Sequence, residues 1–145
     1  MRYRDAQNLE NDLLVFDVET VLHEWVNVAP GENIVAPSKQ RPIVVGMADV
    51  QISYSSGGPF YCLKKVVSVS GSSGEVTESF FNEVRERKPR LVSFNGKGFD
   101  IPTLKIAALE HGLDISAYME TGRSKWDSYE SHYDRQYHFD CMDVI

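Results

Sequence analysis

The sequence predicts an α/β domain in which a mixed sheet, three antiparallel strands followed by parallel strands, is flanked by helices. Three observations predict it. From Leu13 to Val69 the apolar residues fall in short β-branched runs separated by turn residues. Helical spacing begins only after Gly71. Beyond that point helix and strand alternate, which requires crossover connections and therefore parallel strands. At 145 residues the chain fits one domain, spanning 1–145, and is long enough to bury a core.

Each element has its own signal. Residues 1 to 12 are polar and form a lead-in. The run Leu13-Leu14-Val15-Phe16 opens the first strand, which ends in FDVET, Phe16 to Thr20. A long loop follows, marked by Pro30, Gly31 and Pro37, with a short element at Val21 to Val28. Ile43 to Ser53 is β-branched and alternating, Ser55 to Pro59 is a turn, and Phe60 to Val69 is the returning strand. Ser72 and Glu75 have capping-box spacing, and Val76, Phe80 and Val84 recur at helical intervals. Arg85, Arg87 and Lys88 complement the carboxyl end before Pro89 stops the helix. Leu91 to Phe94 is a buried-type strand. In Asn95 to Gly98, two glycines let the backbone turn sharply. Pro102 suits a first helical position, with Ile101, Leu104, Ala108 and Leu109 as the inner face up to Gly112. Leu113 to Tyr137 shows no periodicity, and His138 to Ile145 (HFDCMDVI) reads as a strand turning into a helix.

Composition narrows the function classes. Apolar residues at 42% with 25% charged residues describe a soluble globular chain. A net charge of −6 argues against a generally basic nucleic-acid coat, while leaving room for a local basic groove. Cys62 and Cys141 have no metal-type spacing and read as free thiols in a reducing compartment. The N-terminus lacks a signal-peptide stretch and no run reaches transmembrane length, so the expected location is cytoplasmic, without a membrane partner.

The chemistry concentrates in two stretches. On a strand, Asp17 and Glu19 project to one side with Cα atoms ~6.6 Å apart. Their repulsion is relieved by a divalent cation, and oxygen ligands favour Mg2+ or Mn2+. A strand end where both acids simply meet water explains the pair nearly as well. The second stretch is LVSFNGKGFDIPTL, Leu91 to Leu104, where a strand end delivers Asn95 and Phe99-Asp100 opens a helix. The predicted sheet order brings Asp100 to the end of the sheet that carries Asp17 and Glu19. An Asp at that position also caps the helix, and a capping Asp keeps one oxygen free.

A strand ending in Asp-any-Glu-Thr, followed about 80 residues on by Asn-any-any-any-Phe-Asp at a helix start, resembles the DEDD 3′–5′ exonuclease superfamily. FDVET matches its first motif and NGKGFD its second. Within it, the chain is most similar to the predicted exonucleases related to the proofreading domain of family B DNA polymerases. Their IVVG-like second strand and HFDCMD-like segment are both present, and the likeness runs from Leu13 to the end.

The resemblance implies a ribonuclease-H-like fold and hydrolysis of phosphodiester bonds at the 3′ end of single-stranded DNA or RNA, with DNA favoured. It implies two Mg2+ or Mn2+ ions, ~3.5–4 Å apart. Asp17 would bridge both, Glu19 would bind the first and orient the water, and Asp100 would hold the second. Thr20 with the backbone after it, Asn95 and Phe99 are the candidate contacts to the terminal nucleotide, Phe99 by stacking. Phe99 also reads as ordinary core. Lys39, Arg41, Lys64, Lys65, Arg123 and Lys125 are candidates for a basic rim.

The superfamily's third motif is Tyr-any-any-any-Asp or His-any-any-any-any-Asp. No tyrosine after Asp100 has the spacing, and only His138 with Asp143 formally fits the histidine form. HFDCMDVI resembles the strand that precedes the third motif, so the domain is expected to lack its C-terminal part. A chain so truncated is expected to bind Mg2+ or Mn2+ weakly and to show little exonuclease activity. The competing expectation is a non-catalytic nucleic-acid-binding module with the same fold.

Overall fold

The computed structural model describes residues 11–32 and 35–144, so the lead-in over 1–10 and the terminal Ile145 lie outside the described residues. Five strands form the main sheet. These are β1 (Asp12–Leu22), β2 (Gln40–Ser55), β3 (Gly58–Ser70), β4 (Arg90–Ser93) and β7 (His138–Asp140), in the spatial order β3-β2-β1-β4-β7. β1, β2 and β3 are an antiparallel meander, and β4 and β7 run parallel to β1. This mixed sheet with packed helices is ribonuclease-H-like. Both β2 and β3 extend beyond the predicted strands, because pairing continues through the turn residues down to Ser55 and Gly58.

Helix α1 (Ser73–Arg87) starts with the predicted capping box. The Ser72 hydroxyl accepts from the Glu75 amide at 3.2 Å, and the Glu75 carboxylate accepts from the Ser72 amide at 2.9 Å. Lys88 ends the helix in the left-handed region, at φ 46°, just before Pro89. Val76, Phe80, Phe81 and Val84 of α1 pack on Leu14, Phe16, Val18, Val45 and Met47 of the sheet. Helix α2 (Asp100–Glu110) adds Ile101, Leu104 and Ala108 to that core. Its first residue is Asp100, so Pro102 sits two positions further in than expected, still within the first turn where its missing N–H costs nothing.

Residues 113–137 contain more order than their sequence suggests. The stretch holds a short helix α3 (Ser116–Glu120), a small hairpin, β5 (Gly122–Ser124) with β6 (Asp127–Ser128), and three buried tyrosines, Tyr118 on α3, Tyr129 just after β6 and Tyr137 just before β7. Tyr118 stacks on Tyr129 with centroids 5.3 Å apart, and Tyr129 meets Tyr137 edge-on at 5.7 Å. The Tyr118 hydroxyl donates to the Tyr129 carbonyl at 3.2 Å, and the Tyr129 hydroxyl donates to the Pro89 carbonyl. Buried aromatics with satisfied hydroxyls need no regular period, which is why this stretch shows none in the sequence. After β7 a 3-10 turn, Cys141–Val144, replaces the expected helix. Cys62 and Cys141 are free thiols. No helix among the described residues is long and apolar enough to cross a membrane.

Candidate active site

Strand alternation sets the first two acids. Leu14, Phe16 and Val18 point into the helix-covered core, so Asp17 and Glu19 project from the opposite face, where both are exposed. Asp17 lies opposite Gly46 and Glu19 opposite Val44. The register then shifts between Glu19 and Thr20, leaving Ile43 as the extra residue between Val44 and Pro42, which has no N–H for the ladder. The Thr20 hydroxyl is engaged with Gln40 Oε1, so its side chain braces the start of β2. The element expected over Val21–Val28 is the end of β1 followed by a turn closed by the Val26 amide on the His23 carbonyl, 3.0 Å.

Asp100 arrives from the other side. β4 pairs with β1 only as far as Val15, so the Val18 amide has no strand acceptor on that side. Asp100 Oδ1 accepts it at 3.0 Å, across 82 residues of sequence. The capping role expected of Asp100 is not what the fold uses. It is the first helical residue, Phe99 is the N-cap, and no side-chain cap bond forms there. Buried to 4% exposure, the Asp100 carboxyl is pushed up to about 6, first by desolvation and next by the charge of Asp17. The Val18 amide bond pulls the other way without cancelling those effects. The charge of Asp17 thus reaches Asp100, second only to burial in raising its pKa.

The turn between β4 and α2, expected to turn sharply at its two glycines, takes its positive φ elsewhere. The left-handed residue is Asn95, at φ 59°. Gly96 is needed for close approach, since a Cβ there would lie 2.2 Å from Ser93 Oγ and 3.3 Å from Phe16 Cζ. Asn95 is exposed, and Phe99, the N-cap of α2 next to Asp100, is half-buried. Lys97 folds back, donating from Nζ to the His132 and Asp134 carbonyls at 3.0 and 2.8 Å, with Asp143 Oδ2 at 3.8 Å.

His138 and Asp143 do not converge on the acids. His138 is completely buried, shares a 2.6 Å hydrogen bond with Ser93 Oγ, and packs against Phe16 at 5.7 Å between centroids. Desolvation, with Lys97 nearby, lowers its pKa to about 4, so it is a neutral core histidine. Asp143 is exposed near Lys97. Of the candidate rim, Lys39 pairs with Glu32 at 3.6 Å and Lys125 lies 4.6 Å from the Trp126 ring centre. Lys64 and Lys65 are exposed on the edge strand β3, Arg41 is exposed near the end of β1, and Arg123 is exposed on β5. No pattern in the sequence singled out Asp140, a buried acid at the end of β7 whose oxygens take three backbone amides.

Residues 37–145 match the family model described as "Predicted 3'-5' exonuclease related to the exonuclease domain of PolB". The chain belongs to this family. The match covers NGKGFD and HFDCMD and begins downstream of FDVET. Among curated proteins, a DNA polymerase of Pyrococcus glycovorans is 32% identical over 113 residues, covering 73% of this chain and 12% of that polymerase. A DNA polymerase of Thermococcus aggregans is 26% identical over 149 aligned positions, covering 94% of this chain and 7% of the polymerase. Among solved structures, the family B DNA polymerase of Pyrobaculum calidifontis superposes with a TM-score of 0.57 at 16% identity, covering 92% of this chain and 16% of that one. The chain thus spans a small fraction of the relatives that it matches.

Exonucleases of this family use divalent metals, and the donors here suit one. The carboxyl oxygens of Asp17 and Asp100 are hard donors of the kind Mg2+ and Mn2+ take, and a cation there would offset the charge of Asp17 that raises Asp100. Glu19 lies one strand repeat from Asp17 on the same face. Among the described residues, no group of three or more His, Cys, Asp or Glu side chains is arranged to hold a metal. That donor set fits Mg2+ or Mn2+ bound by one or two carboxylates, with water and substrate phosphate completing the shell.

Proposed function

We propose that this domain is a metal-dependent 3′–5′ exonuclease acting on single-stranded nucleic acid. DNA is favoured because the relatives are named DNA polymerases. The observation that carries the reading is Asp100, which comes from 82 residues away to accept the amide of Val18, the residue next to Asp17, at 3.0 Å. When bound, the divalent ions would supply an activated water and offset the negative charge that builds on the leaving oxygen.

The residues have separable tasks. Asp17, on the open face, and Asp100, anchored by the Val18 amide, are the metal ligands. Glu19 contributes a ligand oxygen and orients the attacking water. Asn95, Phe99 and the backbone at Thr20 hold the terminal nucleotide, with the half-buried Phe99 ring against the base. Water oxygen bonds to phosphorus, the bond from phosphorus to the 3′ oxygen of the preceding nucleotide breaks, and that oxygen leaves with a proton. The products are a 5′-mononucleotide and a strand one unit shorter. With so few protein donors the cation is held weakly and turnover in this 145-residue chain is slow.

The test is a 5′-labelled single-stranded oligonucleotide incubated with millimolar Mn2+. Stepwise shortening from the 3′ end, abolished by chelator and by Asp17→Asn, is expected. One observation favours a second reading, a module that binds nucleic acid without cutting it: the absence of a third converging side chain among the described residues. Strand binding unaffected by Asp17→Asn, with no shortening at any Mn2+ concentration, would establish that alternative and overturn the nuclease.

A further inference from the structure

Asp140 ends β7, directly beside Ser93 at the end of β4. Only 3% exposed, it points both oxygens at backbone amides. Oδ1 accepts from Asn95 at 2.7 Å and from Met142 at 3.1 Å, and Oδ2 accepts from Lys97 at 3.0 Å. Two of those three amides belong to the turn that leads into α2. The turn then continues as one hydrogen-bonded unit. The Gly98 and Phe99 amides donate to the Asn95 carbonyl at 3.2 and 3.0 Å, and the Ile101 amide donates to Gly96 at 2.8 Å. Asp100 rides on that unit and reaches Val18 at its far side.

The turn needs such an anchor. Asn95 occupies the left-handed region, which asparagine tolerates better than other residues with a Cβ but which surrounding contacts still help to hold. An ionised acceptor makes shorter and stronger hydrogen bonds than a neutral one, and here one carboxylate fixes two amides a residue apart. With three N–H groups on its two oxygens, Asp140 is largely committed to the backbone and is a poor candidate for a cation ligand.

We propose that Asp140 is a positioning residue for the carboxylate site, acting through the Asn95–Lys97 turn to fix Asp100 against the end of β1. The proposal builds on the reading of Asp17 and Asp100 as cation ligands. Two readouts on the same protein separate the failure of one from the failure of the other. The first needs no metal: amide hydrogen exchange of Val18, whose N–H donates to Asp100.

In Asp140→Asn, an amide N–H2 or its oxygen must face donors that now meet only one acceptor. The Val18, Asn95 and Lys97 amides are expected to exchange at least about 10-fold faster, while amides of α1 keep wild-type protection. Mn2+ affinity, followed by water-proton relaxation, is expected to fall about 10-fold, the usual scale when a group that orients a metal ligand is lost. In Asp140→Glu, which keeps the charge and displaces the acceptors, the same two changes are expected, and this variant serves if Asp140→Asn does not fold. An unchanged Val18 amide in a folded variant overturns the proposal. A Val18 amide that responds in a protein whose wild type binds no Mn2+ supports the positioning role and removes the metal reading instead.

Discussion

The two ends of β1 carry charge in opposite ways. At its start, Asp12 meets Arg87 from the end of α1, and the same guanidinium reaches Asp49 of β2 at 2.6 Å and Glu83 at 3.5 Å. Burial disfavours the charged guanidinium, yet its pKa is raised because Asp12, Asp49 and Glu83 together outweigh the desolvation. At the other end, no positive group is among the influences on Asp100, which burial and then the charge of Asp17 drive up to about 6. A compensated cluster ties a helix to a sheet and is finished. A carboxyl raised by a neighbouring like charge invites positive charge, and it is on this second end of the strand that the proposed function rests.

That contrast can be broken most sharply at Asp17. Asp17→Asn is expected to lower Mn2+-dependent 3′ shortening about 1,000-fold, as when several kcal/mol of charge stabilisation vanish. Quantifying products on a denaturing gel checks it, and Asp49→Asn, equally acidic but compensated, should leave the cleavage rate within about 2-fold.

The next effect is on pH. Asp100 holds its proton up to about 6, so between about pH 4 and 6 the metal-free folded state binds more protons than the unfolded chain, and Asp100 makes stability fall as pH rises. His138 does the reverse. Its pKa is lowered to about 4, the unfolded chain binds its proton first, and stability rises with pH up to about 6.5. The two slopes oppose each other and the wild-type profile is expected to be nearly flat across this window. Asp100→Asn should unmask a stability gain of about 2 kcal/mol from pH 4 to 6.5, and His138→Gln a loss of similar size, from shifts of roughly two units each. Urea unfolding at successive pH values reads both, and parallel profiles for all three proteins would refute the assignment.

Arg87→Ala tests the compensated end. It leaves Asp12 and Asp49 facing each other and is expected to cost about 2 kcal/mol in urea unfolding, because the guanidinium is only half-buried and water screens part of the loss. Raising salt should recover part of that cost. Mn2+ binding should not change.

The smallest effect lies away from both ends. Tyr118→Phe removes one neutral hydrogen bond to the Tyr129 carbonyl and is expected to cost about 1 kcal/mol by the same unfolding assay, with no change in Mn2+ binding.

Several features could be read before folding. The alternation that buries Leu14, Phe16 and Val18 dictates that Asp17 and Glu19 share the other face, and the Ser72–Glu75 box fixes where α1 begins. These are local, with periods of two and about four residues, so sequence carries them. The order of strands and helices also placed Asp100 at the end of the sheet that carries Asp17, because parallel strands joined by helices bring their carboxyl ends together.

Other features depend on partners far along the chain. That Asp100 satisfies a β1 amide instead of capping its own helix depends on β4 leaving the sheet after Ser93, which no local signal states. The tyrosines at 118, 129 and 137 find one another only after α3 and the small hairpin fold back. Asp140 looks like any strand-end acid until the Asn95 and Lys97 amides arrive from 45 and 43 residues away. The sequence by itself determined the sheet, the start of α1 and the face on which the acids stand, since those follow from backbone periodicity and a local capping pattern. Only the tertiary structure decided which acid is uncompensated, which is anchored and which does the anchoring, because charge and hydrogen bonding depend on what distance brings together.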